Sequence, residues 1–155
     1  MDNSELITKF YESFAKADAE GMVSCYHDEI QFEDPAFGVL KGDDAKNMWR
    51  MLIGRSKGGT KITFSNVIAN EKTGSANWEA HYVFGDSGRK VINIISAQFE
   101  FKGRKIIKHT DYFSMWKWSR QALGISGLLL GWSSFLQQKI QKQTHGLLKA
   151  YTSRK

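Results

Sequence analysis

The sequence predicts an α+β fold: a curved antiparallel sheet wrapped over N-terminal helices, with a C-terminal helical extension. Three observations carry this. Apolar residues recur at helical spacing from Ser4 to about Gly54, alternate from Thr60 to about Met115, and return to helical spacing after Trp118. Short glycine-containing connections separate the alternating stretches, so consecutive strands there are antiparallel neighbours. Helices gathered at the ends of a run of strands, not interleaved with them, indicate α+β rather than α/β.

The elements follow in order. Ser4 is the expected N-cap of a first helix with the stripe Leu6, Ile7, Phe10, Phe14 and Ala17. Asp18 can cap a short second helix carrying Met22, Val23 and Tyr26. A strand runs from Ile30 to Asp34 and stops at Pro35. A third helix starts near Asp43 or Asp44, carries Ala45, Met48, Trp49 and Leu52 on one face, and ends at Gly54. Four strands are expected at about 61–70, 75–84, 90–102 and 104–115, connected through Glu71–Gly74, Gly85–Gly88 and Lys102–Arg104. In the tail Leu128, Leu129, Trp132, Phe135, Leu136, Ile140, Leu147, Leu148 and Tyr151 recur at helical spacing. Residues 1–118 are thus expected to form the α+β domain, and 119–155 a basic amphipathic extension of it.

Charge narrows the partners. The 155 residues carry a net charge of +6, yet no Asp or Glu follows Asp111, while seven Lys and Arg do. The chain ahead of the tail is therefore close to neutral. No recognisable motif accompanies the basic tail, so no nucleic acid is expected. The tail lysines are sparse for a membrane-surface helix. Packing across the open end of the sheet, or extending a dimer, is the preferred role; peripheral contact with an acidic membrane is the alternative. The single cysteine, Cys25, excludes an internal disulfide and a Cys-based zinc site. With no basic-then-apolar start, a cytoplasmic protein is expected. The longest apolar stretch, Ile125 to Trp132, is too short to span a bilayer.

Strand alternation decides which side chains share a face. In the last strand Ile107, His109, Asp111 and Phe113 oppose Lys108, Thr110 and Tyr112. In the first, Ile30, Phe32 and Asp34 oppose Gln31 and Glu33. The apolar faces point inward, so Asp34, His109 and Asp111 do too. Three ionisable groups there are costly unless paired or open to a wet cavity. Walls of Trp49, Trp78, Tyr82, Phe99 and Phe113 would suit a small apolar ligand held by a few polar groups. Asp34 reads either as a general base raised toward neutrality or as a cap on the turn at Pro35. His109 and Asp111 read as an acid–base dyad, as a satisfied buried network or, with Asp34 opposite, as hydrogen-bond anchors for a ligand. Tyr82 is the expected hydroxyl donor. Neither HxxxH spacing nor a cysteine pattern supports a metal, and the chemistry requires no cofactor.

The stretch from Ala17 through Phe32-Glu33-Asp34-Pro35, with Gly38 and Gly42, resembles the start of the NTF2-like superfamily, SnoaL-like branch. Phe99–Gly103 and Lys105–Phe113 resemble its closing strands. The resemblance covers about residues 4–116. It implies a cone-shaped α+β barrel, often a homodimer, in a superfamily of isomerases, cyclases, epoxide hydrolases, dehydratases and non-enzymatic binders. The ketosteroid isomerase members carry their proton-shuttling aspartate in the Glu-Asp-Pro setting, which is Asp34 here. Their oxyanion-hole tyrosine and second aspartate fall at Phe10 and Ala97, so this chain departs from them at both positions. An isomerase- or hydrolase-type activity by proton transfer is one expectation; a non-catalytic ligand-binding or interaction domain is the other.

Overall fold

The computed structural model describes residues 1–56, 59–84, 88–124 and 134–153. The Gly85–Gly88 connection, apart from Gly88, and the tail residues Leu128, Leu129 and Trp132 lie outside them, as do the side chains of Phe135 and Leu136. The elements are α1 (Asn3–Ala15), α2 (Ala19–Val23), β1 (Tyr26–Asp34), β2 (Gly38–Lys41), α3 (Asp43–Ser56), β3 (Lys61–Ala69), β4 (Thr73–Val83), β5 (Lys90–Lys102), β6 (Lys105–Tyr112), α4 (Met115–Leu123) and α5 (Ser134–Ser153). The six strands form one open sheet in the order β2-β1-β6-β5-β4-β3.

Helix α1 begins two residues earlier than the sequence suggests. Asp2, not Ser4, is its N-cap: the Glu5 N–H donates to Asp2 Oδ1 at 2.8 Å, and Asp2 N–H returns the bond to Glu5 at 3.0 Å. This reciprocal pair satisfies two backbone donors at once. Asp18 caps α2 as expected, accepting from Gly21 N–H. Helix α3 runs through Gly54 to Ser56, since an exposed glycine weakens a helix without having to end it.

Strand β1 starts at Tyr26, four residues before the expected Ile30. Tyr26 therefore belongs to the sheet and not to the α2 stripe, and it is 3% exposed. Strand β2 has only one buried side chain, Leu40, so no alternation announces it. A Pro35-Ala36-Phe37 loop joins β1 to β2, closed by the Asp34–Gly38 pair with Gly38 at φ +69°. That left-handed position favours glycine.

The three hairpin-linked partners of β3 to β6 are antiparallel, as expected, whereas β1 joins β6 in parallel. No hairpin constrains that junction, because β1 arrives there from across the domain. In the β5–β6 ladder Glu100 pairs with Lys108 and Phe101 with Ile106, leaving Ile107 as an extra residue. The bulge turns Ile106 inward, fully buried, in place of Ile107. From His109 onward the expected alternation holds.

The core lies between the concave face of the sheet and α1 and α3. Ile7, Phe10, Tyr11, Met22, Ile30, Phe32 and Met48 are each fully buried there. No helix among the described residues is long and apolar enough to cross a membrane.

Candidate functional site

The β1–β6 junction assembles the inward-facing ionisable groups. Phe32 is paired with His109 and Glu33 with Thr110, so one further step places Asp34 level with Asp111. Across the other ladder Asp111 faces Ala97 and His109 faces Phe99. His109 is fully buried and Asp111 is 3% exposed.

Both ring nitrogens of His109 are engaged. Nε2 lies 2.9 Å from Asp111 Oδ1, and Nδ1 lies 2.7 Å from the Tyr26 hydroxyl. Trp49 Nε1–H donates to that hydroxyl at 2.8 Å, and Trp78 Nε1–H donates to Asp111 Oδ1 at 3.2 Å. An indole N–H can only donate, so the Tyr26 oxygen accepts from Trp49 and offers its own proton. Among its hydrogen-bond partners, only His109 Nδ1 can take that proton. The arrangement that satisfies every group is a neutral imidazole protonated on Nε2, donating to the Asp111 carboxylate. Burial pushes the Tyr26 phenol well above its usual value, which keeps that proton in place.

Aromatic rings enclose this chain. Trp49 stacks over His109 at 6.2 Å, Phe99 lies 4.5 Å away, and Phe10 and Phe32 meet its ring edge-on. Trp49, Trp78 and Phe99 are all buried, at 6% exposure or less. Phe113 is half-buried beyond the end of β6. Tyr82 is half-buried near the end of β4, where its oxygen accepts from Trp118 Nε1–H at 2.6 Å. Its bond therefore runs to α4, not to the His109 network.

Asp34 stands apart from the chain of bonds. Its Oδ1 accepts from the N–H groups of Ala36 at 2.9 Å and Phe37 at 2.6 Å, which is the turn-capping geometry. Its Oδ2 makes no hydrogen bond among the described residues. Burial pushes the carboxyl up to about 7; the Phe37 and Ala36 N–H groups pull against this, while the Asp111 and Glu33 charges add to it. The capping geometry and the raised pKa thus coexist: one oxygen serves the turn, and the other has no hydrogen bond among the described residues.

Two tyrosines were not among the expected site residues. Tyr26 is the central link of the network. Tyr11, one residue past Phe10, is fully buried, and its hydroxyl has no hydrogen-bond partner among the described residues. Burial, then the Asp111 charge, pushes its phenol well above the usual value. Phe10 stacks on Tyr26 at 5.3 Å, and Ala97 is fully buried opposite Asp111. Two surface hollows, of about 330 and 210 Å³, lie near the start of α1 and the β5–β6 turn, and no expected site residue lines either. Among the described residues no three His, Cys, Asp or Glu side chains are grouped to hold a metal ion.

Helix α5 covers the Asp34 turn. Gln137 and Gln141 donate to the Pro35 carbonyl at 3.4 and 3.0 Å, and Thr144 lies 2.8 Å from that of Ala36. His145 Nε2 meets the Phe37 carbonyl.

Solved structures with the same fold include an NTF2-like protein of unknown function from Cytophaga hutchinsonii, 21% identical, with a TM-score of 0.60 over 72% of this chain and 99% of that one. A putative polyketide cyclase from Xanthomonas campestris is 17% identical, with a TM-score of 0.62 over 76% and 94%. An LEH-like epoxide hydrolase from M. tuberculosis is 16% identical, with a TM-score of 0.60 over 81% and 93%. No curated protein matches the chain. The model of the SnoaL-like domain matches residues 7–109, well over half of the sequence, and the chain belongs to the SnoaL-like family.

Proposed function

We propose that this protein binds a small apolar, carbonyl- or ring-bearing molecule beside Asp34 and that Asp34 transfers a proton to or from it. The observation that carries this reading is the Asp34 carboxyl itself. It is held by two N–H bonds on one oxygen, has no hydrogen bond on the other among the described residues, and is pushed up to about 7. A base with that affinity can take and return a proton at neutral pH. His109 and Asp111 act differently from a free dyad in this reading. With both imidazole nitrogens bonded, they form the polar floor, and the Asp111 charge helps hold Asp34 near neutrality. Fold neighbours described as a putative polyketide cyclase and an LEH-like epoxide hydrolase are consistent with enzymatic use of the fold, though fold alone assigns no reaction.

The test is proton exchange. The protein is incubated in D2O with a panel of apolar cyclic ketones, and loss of the α-proton signal is followed by NMR. Exchange above background is expected, rising with pH through about 7, and it should vanish in Asp34→Asn. That variant keeps an oxygen for the Ala36 and Phe37 N–H groups, so its fold should survive. Binding of the panel without exchange in the parent protein would favour the second reading, a non-catalytic ligand-binding domain. The close ring packing around His109 and its fully engaged nitrogens support that alternative.

A further inference from the structure

We propose that Gln141 and Thr144 of α5 are positioning residues that act on Asp34 through two peptide groups. The inference rests on the role given to Asp34 above and adds a means of adjusting it. The geometry is a pair of relays. Gln141 Nε2–H donates to the Pro35 carbonyl at 3.0 Å, and the peptide group carrying that carbonyl also carries the Ala36 N–H, which donates to Asp34 Oδ1 at 2.9 Å. Thr144 Oγ1 lies 2.8 Å from the Ala36 carbonyl, and the same peptide group carries the Phe37 N–H, 2.6 Å from Asp34 Oδ1. Thr144 also reaches the Gln141 carbonyl at 2.9 Å, so its one proton is shared between the two acceptors.

A hydrogen bond accepted at a carbonyl withdraws electron density across the amide and strengthens the N–H at its other end. Each relay therefore makes its N–H a better donor to the Asp34 carboxylate. A stronger donor favours the charged form. Docked α5 thus holds Asp34 lower than burial alone would leave it.

The arrangement is specific to this face of α5. Gln137, Gln141, Thr144 and His145 follow the i, i+4, i+7, i+8 pattern of a buried helix face. Here polar groups occupy it, and each meets a carbonyl of Pro35, Ala36 or Phe37. Ile140 and Leu148, both buried, anchor the helix beside them. The Gln141 amide also sits against Gly38, where an added Cβ would lie 3.4 Å from Oε1.

The experiment measures the Asp34 midpoint by carbon-detected NMR of its carboxyl in the full chain, for the parent and for Gln141→Met, Thr144→Val and Thr144→Ser. Methionine and valine keep bulk and remove the donor; serine keeps the hydroxyl. The relays predict a rise of about 0.3 in the Asp34 midpoint for Gln141→Met and for Thr144→Val, roughly additive, with no change for Thr144→Ser. Unchanged midpoints in Gln141→Met and Thr144→Val would overturn the proposal. So would a fall toward the usual carboxylate range, since that would mean α5 acts only by excluding water. Should one variant fail to fold, the other still decides. The difference between variant and parent reads the relays whatever the parent value, whereas ketone exchange reads the function, so the two can fail separately.

Discussion

Tyr26 and His109 meet at 2.7 Å, joining the first residue of β1 to the middle of β6 through a fully buried bond. The pair sits between two indoles and a carboxylate, in a chain running from Trp49 through Tyr26, His109 and Asp111 to Trp78. A chain of this kind is stabilising only while each member is satisfied.

Removing the middle link should therefore be costly. Tyr26→Phe leaves the Trp49 N–H and His109 Nδ1 without partners inside the core. Each such group costs about 1–3 kcal/mol. The variant is expected to lose about 2–5 kcal/mol of unfolding free energy in urea titration, with the secondary structure retained. A loss below about 0.5 kcal/mol would show that the bond contributes little.

Asp34 should make stability fall as pH rises. Its folded-state pKa of about 7 lies above the ordinary aspartate value of 3.8, so between these values the folded chain holds the proton more tightly than the unfolded one. Its stabilising share is complete below about 3.8 and is lost as pH rises toward 7. Asp34→Asn mimics the protonated carboxyl throughout. The variant should melt at the same temperature as the parent near pH 4 and at a higher one at pH 8. A lower melting temperature at both values would make turn capping the principal role of the residue.

The outer face of the sheet predicts assembly. Ile92 and Ile94 on β5 are 48% and 67% exposed, and Tyr112, 58% exposed, extends the strip on β6 opposite Ser96. Such an apolar strip is a candidate self-association surface. A homodimer through this face is expected by light scattering after size exclusion, and Ile94→Lys should shift the mass to that of the monomer. A monomeric parent protein at all concentrations would contradict this.

Much of this was legible in the sequence, and the failures have physical causes. Period-two alternation placed Asp34, His109 and Asp111 on the interior faces, because burial enforces that period wherever one face is covered. Tyr26 was hidden because it stands three residues from Val23, where a helical stripe and a strand start look alike. Ile107 was misassigned because a bulge has no local sequence mark. The α5 contacts were unreadable for another reason. Gln141 and Thr144 bind backbone carbonyls more than a hundred residues away, and glutamine and threonine on a helix resemble a solvated face.

The proposed chemistry rests on one carboxyl. Titrating Asp34 by carbon-detected NMR in the intact protein tests it most directly. The structure predicts a midpoint of about 7; a midpoint in the usual carboxylate range, near 4, would contradict it.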